Sequence, residues 1–198
     1  MANRRRKTDY SEFKPDPKPI LWLKSLRLTH LQQMKLLKWS LYVAVIIGAL
    51  VIQDVVMSRM HIMGATTELP VAVIFLITIL EGTEVGSIFA LIASVLYFYT
   101  GTAASAYAIG LICFPGIFAC LLRQMYWHRS RASIILFAGI ANMVYSIGMY
   151  VVGVFQGLTR WETLPLFALS GIYNVLIMIP LYPLIVKIGM IGGNTWKE

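Results

Sequence analysis

The residues of this chain that could do chemistry are few and scattered. Its three histidines, His30, His61 and His128, lie far apart in the sequence. No H-E-x-x-H zinc motif, G-x-S-x-G nucleophile elbow or G-x-x-x-x-G-K-[ST] phosphate loop occurs. Cys113 and Cys120 are seven residues apart. On one helix they project to the same side but stand about 10 Å apart along the axis, too far for a disulfide. Buried packing thiols are the expectation. The chain is therefore expected to be no enzyme and to need no metal or other cofactor.

What stands out instead are polar residues set inside apolar runs, where desolvation is costly unless a partner is present. Gln53 and Asp54 close the first run. They face either a cavity or interfacial water. Glu81 and Glu84 flank Gly82 in a tight connection. They either pair with Arg123, Arg129 or Arg131 or form a solvated turn. Asn142 and Asn174 sit in the middle of the last two runs. Hydrogen bonding between helices is the plain expectation for both, and ligand contact the sharper one.

The elements that hold these residues are long and apolar. The chain is 58% hydrophobic and only 13% charged, against ~25% charge in soluble domains. Apolar segments cover about 39–56, 67–80, 85–99, 104–122, 132–154 and 164–186. The last two exceed the roughly 20 residues that cross a ~30 Å hydrocarbon core and contain no Asp, Glu, Lys or Arg. The second is the weakest: twelve uncharged residues, 69–80, rise only about 18 Å between Glu68 and Glu81. It either crosses with buried or snorkelling ends or turns back as a re-entrant hairpin with the third. The expected fold is an all-α integral membrane protein, a bundle of six transmembrane helices over 39–189. The alternative is four spans and a hairpin.

Orientation follows from Lys and Arg, which favour the cytoplasmic side. With the N-terminus inside, that side holds Arg4, Arg5, Arg6, Lys7, Lys14, Lys18, Lys24, Arg27, Lys35, Lys38, Arg123, Arg129, Arg131, Lys187 and Lys197. Only Arg59 and Arg160 remain outside. An N-in, C-in arrangement is expected, and the net charge of +8 then needs no nucleic acid to explain it. The first 38 residues lack the short n-region and cleavage site of a secretory signal. Residues 1–19 are expected to be a disordered basic cytoplasmic tail and 190–198 a second tail. Residues 20–38 are expected to form an interfacial amphipathic helix. Its basic face, Lys24, Arg27, Lys35 and Lys38, would meet anionic lipids or a cytoplasmic partner.

Small residues matter in lipid, where close packing drives helix association. Gly86 and Ala90 are four apart in the third segment, as are Ala44 and Gly48 in the first. Both pairs are candidates for docking a partner helix. Pro115, Pro180 and Pro183 each remove a helical hydrogen bond and should kink their helices.

The order of these features resembles the rod shape-determining protein MreD family. Gln53 leads through a short loop, with Gly64 and Pro70, into PVAVIFLITIL; EGTEVGSIFALIASVLYFYTG and GIYNVLIMIPLYPLIVKIG follow. Gly86 looks like the first glycine of a family G-x-x-x-G, and Tyr182–Pro183 before Lys187 looks like the family's ending. Ala90 stands where a second glycine is usual, and Tyr97 near where an Asp is often found. The resemblance covers roughly two thirds of the chain. It implies a non-enzymatic adaptor of the bacterial cell-elongation complex in the cytoplasmic membrane, helping to organise peptidoglycan synthesis and cell shape. The implied partners are a bitopic MreC-like protein, a SEDS glycosyltransferase with its class B penicillin-binding protein, and MreB filaments. The fold of that family is similar to the S-components of energy-coupling-factor transporters. Vitamin capture in an outward-facing cavity is therefore the alternative function. The outward polar inventory for it is short: Gln53, Asp54, Glu68, Arg160, Trp161 and Glu162.

Overall fold

A computed structural model describes residues 30–59, 64–101, 103, 105–126 and 131–191. Among them six main helices appear: α1 (His30–Val55), α2 (Leu69–Glu81), α3 (Thr83–Tyr99), α4 (Tyr107–Tyr126), α5 (Arg131–Phe155) and α6 (Leu164–Gly189). Short 3-10 turns, Met57–Arg59 and Trp161–Thr163, precede the entries to α2 and α6. Each apolar segment expected from the sequence forms one of these helices, with bounds moved by a few residues except at the start of α1, which lies nine residues before the expected 39.

The organising element is the weakest segment, α2. A helix apolar on every side has no face to offer water and belongs in a core. All twelve residues from Leu69 to Leu80 are buried, and α2 packs against each of the other five helices. Its brevity follows from that place. Walled in by longer neighbours, its ends meet polar side chains rather than headgroups or water. Pro70 fits the first turn, where a missing N–H costs nothing. Gly82 ends the helix at φ 89°, a left-handed conformation that suits glycine. That single residue folds α3 back along α2.

The outside of the bundle is apolar. Ile47, Val51 and Val55 on α1, Ile88, Leu91 and Ile92 on α3, Phe114 and Phe118 on α4, and Ile140, Val144 and Ile147 on α5 are all exposed. Contiguous aliphatic surface of this extent is the mark of a membrane or interaction surface. Helices α1, α4, α5 and α6 are long and apolar enough to cross a membrane, whereas α2 and α3 are shorter apolar helices. This is the make-up of a multi-pass membrane protein. Pro115 lies inside α4, and Pro180 and Pro183 inside α6; both helices continue past them.

α1 runs without a break from His30 into the apolar segment, so the described part of 20–38 is continuous with the first long helix. Lys24, Arg27 and the 1–19 tail fall outside the described residues, as does 192–198.

Candidate functional site

Two polar clusters cap the buried rod of α2, one at each end. At the Glu81 end the carboxylate is neutralised. Lys38 Nζ lies 2.6 Å from Oε1 and 2.7 Å from Oε2, and the Tyr42 hydroxyl donates to Oε1 at 2.6 Å. Both charged side chains are over nine-tenths buried. Arg123 Nη1 donates to the Ile79 carbonyl at 2.6 Å, satisfying one of the four carbonyls that a helix C-terminus leaves unpaired. Backbone packing is equally close. A Cβ on Gly86 would collide with the Thr78 carbonyl, the Cys120 thiol donates to the same oxygen at 3.3 Å, and Gly189 lies against Leu80 and Tyr42.

At the Glu68 end the cluster is built from uncharged donors. Tyr145 donates to Glu68 Oε2 at 2.6 Å and Tyr97 to the same oxygen at 3.2 Å. Asn174 Oδ1 accepts the Glu68 backbone N–H at 2.7 Å, while its Nδ2 donates to Asn142 Oδ1 at 3.2 Å. Asn142 Nδ2 in turn donates to the Gly171 carbonyl at 3.0 Å. Gln53 Oε1 accepts the Leu69 N–H at 2.9 Å, and its Nε2 donates to the Thr67 carbonyl at 2.7 Å. Helices α1, α3, α5 and α6 thus each contribute a polar side chain to the start of α2. Tyr97 lies next to the end of α3, but Tyr145 and Asn174 lie ten residues from the ends of α5 and α6 at this side. Those two helices therefore continue about 15 Å beyond the Glu68 level.

The residues singled out from the sequence meet different fates. Gln53, Asn142 and Asn174 come together in the Glu68 cluster; for the two asparagines this is the expected bonding between helices. Asp54 is exposed. Glu81 does not pair with Arg123: Lys38, 43 residues away, takes that place. Glu84 is exposed. The basic face is broken by the same contact, because Lys38 turns inward to Glu81 while Lys35 stays exposed. Gly86 and Ala90 are buried, so the docking face expected there is already occupied by α2 of the same chain. Ala44 is exposed, and nothing lies within 4 Å of a Cβ built on Gly48. That second small-residue pair faces out.

Glu68, Tyr97 and Tyr145 were not picked out together by sequence reasoning. Glu68 counts only as one of several polar residues at that end, and Tyr97 only as a departure from a family pattern. A signal existed in the lone acids bracketing a fully apolar twelve-residue segment. Nothing in the spacing shows that tyrosines 29 and 77 residues away converge on one of them.

Two lipid-side grooves complete the picture. One, of about 310 Å³, lies between α1 and α3 and is lined by Trp39, Val43, Ile46, Ile88, Phe89 and Ile92. The other, of about 660 Å³, runs between α5 and α6 past Gly139, Met143 and Val175. Both are apolar. Among the described residues no group of three or more His, Cys, Asp or Glu could hold a metal ion. Comparison of the chain with protein-family models, with curated proteins and with solved structures finds no match.

Proposed function

We propose that this chain is a non-enzymatic adaptor of the bacterial cell-elongation complex, of the MreD type, spanning the cytoplasmic membrane six times with both termini inside. The observation that supports it best is a division of labour. The polar clusters at the two ends of α2 hydrogen-bond within the bundle, while the periphery offers apolar surface. That surface includes two grooves and an outward small-residue pair on α1. Packing and small residues are what a partner helix uses in lipid. The order of sequence features from Gln53 to Lys187 supports the same reading. The partners would be a bitopic MreC-like protein and the SEDS glycosyltransferase with its penicillin-binding protein, linked to MreB filaments. Lys24, Arg27 and Lys35 would lie against anionic lipid. The orientation rests on the distribution of Lys and Arg, which places the Glu81 end inside and the Glu68 end outside.

Ala44 and Gly48 provide the test, because substitution there meets open space within the chain. Ala44→Leu with Gly48→Leu should leave the purified protein monodisperse and helical, and should lower co-purification of the co-expressed MreC-like protein by roughly tenfold. Undiminished co-purification, repeated with Ile88→Trp and Gly139→Leu to fill the two grooves, overturns the docking reading. For orientation, a reporter active only outside should be silent at Glu198 and active when inserted at Gly157. A signal at Glu198 overturns it. The alternative, a vitamin-capturing S-component, would be favoured if the purified wild-type protein retained a vitamin at one-to-one stoichiometry.

A further inference from the structure

The two lipid-side grooves end in different electrostatic surroundings. The groove between α1 and α3 reaches Val85, and the residue before it is Glu84, exposed in the first turn of α3. The groove between α5 and α6 has no acid on either wall, because neither helix contains Asp or Glu. It follows α5 from Ala132 to Ile147, about 22 Å of helix, against the ~15 Å depth of one leaflet of hydrocarbon. Its α5 wall is open to lipid at Leu136, Ile140, Val144 and Ile147, each close to half exposed. A Cβ added to Gly139 would stand 3.3 Å from Val175, which fixes the register of these two antiparallel helices. From that contact toward the Glu81 end, Ala132 is seven residues along α5 and Lys187 twelve along α6. Lys187 therefore stands roughly 8 Å beyond the mouth of the groove, exposed and in the last turn of α6. α5 starts at Arg131 beside that mouth, and a helix start adds positive potential.

We propose that the α5–α6 groove is the seat of an anionic phospholipid, with one acyl chain lying along α5 and the phosphate held at Lys187. The wall chemistry favours a chain over a helix. Helix pairs in lipid rely on small residues and interhelical hydrogen bonds. Here the open wall is Ile, Leu and Val, no polar side chain lines it, and Gly139 already faces Val175 of the same chain. A flexible acyl chain can follow such an irregular aliphatic wall. The headgroup supplies the other half of the match. A Lys stem lies along apolar surface while its ammonium reaches the headgroup layer, where each Lys or Arg attracts anionic lipid. A zwitterionic headgroup carries its own cation and gains less from Lys187. The seat needs only a membrane around the bundle, so it stands or falls apart from the adaptor reading.

The test reconstitutes the full chain in mixed phosphatidylcholine and phosphatidylglycerol liposomes. A trace of phosphatidylglycerol with a photoactivatable diazirine in one acyl chain is crosslinked, and the labelled peptides are mapped. Phosphatidylcholine with the same chain is the reference. Phosphatidylglycerol should label 132–147 roughly fivefold more than the reference does. Lys187→Gln, a change on an exposed side chain, should bring the two lipids to parity, and high salt should narrow the difference in the wild type. Val144→Trp, which fills the groove, should lower the label from both lipids on this stretch. The proposal is overturned if the two lipids label 132–147 equally in the wild type, or if Lys187→Gln keeps the preference. It is overturned equally if the α1–α3 groove shows the same preference. Groove residues that crosslink to a co-purifying protein in place of lipid would give the groove to a partner helix and overturn it too. Should Val144→Trp fail to fold, the Lys187→Gln comparison decides alone.

Discussion

The two ends of α2 begin from the same chemistry and finish differently. Each places a single glutamate at the edge of a twelve-residue apolar rod. At the C-terminal edge the helix dipole is negative and repels a carboxylate. Lys38 and Arg123 both converge there, one on Glu81 and one on the Ile79 carbonyl. At the N-terminal edge the dipole is positive and itself favours an anion. There the described residues supply phenols and amides. The difference teaches that a buried charge is balanced against the whole local field, helix ends included, and not residue by residue. It also separates an ion-paired joint at Glu81 from an end at Glu68 held by phenols and amides.

The largest effect should come from breaking the ion-paired joint. Lys38→Met leaves Glu81 buried without its counter-charge and should destabilise the protein by about 3–5 kcal/mol in reversible unfolding from micelles. Lys38→Met with Glu81→Leu should recover most of that loss, since an apolar pair of similar size is tolerated where an ion pair was. A single-variant effect below about 1 kcal/mol would show that water or another cation already serves Glu81.

Overpacking comes next. Gly86→Leu would press on the Thr78 backbone, with cost about 3 kcal/mol and a broadened size-exclusion peak. Gly48→Leu, which meets open space, should be silent in the same assay. Equal behaviour of the two would dissolve the distinction between an inward and an outward small-residue face.

At the other end, Asn174→Leu removes the acceptor for the Glu68 N–H and the donor to Asn142. Unsatisfied buried groups cost about 1–3 kcal/mol each, and about 2 kcal/mol is expected by chemical denaturation. The smallest effect, and the sharpest contrast, is Glu68→Gln against Glu81→Gln. The first keeps an acceptor for both phenols and should shift stability by less than about 1 kcal/mol. The second strands Lys38 and should resemble Lys38→Met. Matching losses would mean that the Glu68 carboxylate is held by charge after all.

Several of these features are legible in the chain before it folds. Long uncharged runs in lipid favour helices, because the backbone must satisfy its own hydrogen bonds there; all six appear, five close to their expected bounds and α1 starting nine residues early. Four-residue spacing is enough to place Gly86 beside Ala90 on one side of α3, and mid-helix asparagines are expected to seek partners on other helices. Which way a face points is another matter. Gly86 and Ala90 turn inward because α3 doubles back on α2 at Gly82, while Ala44 and Gly48 turn outward because Tyr42, Ile46 and Ala49 claim the buried side of α1.

The sequence by itself thus determined an all-helical, lipid-compatible chain, the position of its helices and the rarity of its charged residues within them, since hydropathy and helical period act over neighbouring residues. Only the tertiary structure decided that the shortest apolar segment is the centre, that Lys38 and not Arg123 neutralises Glu81, and that Tyr97 and Tyr145 meet on Glu68. Those pairings join residues 29 to 77 positions apart on separate helices. They are set by which helices pack side by side around α2, a choice that no local pattern along the chain encodes.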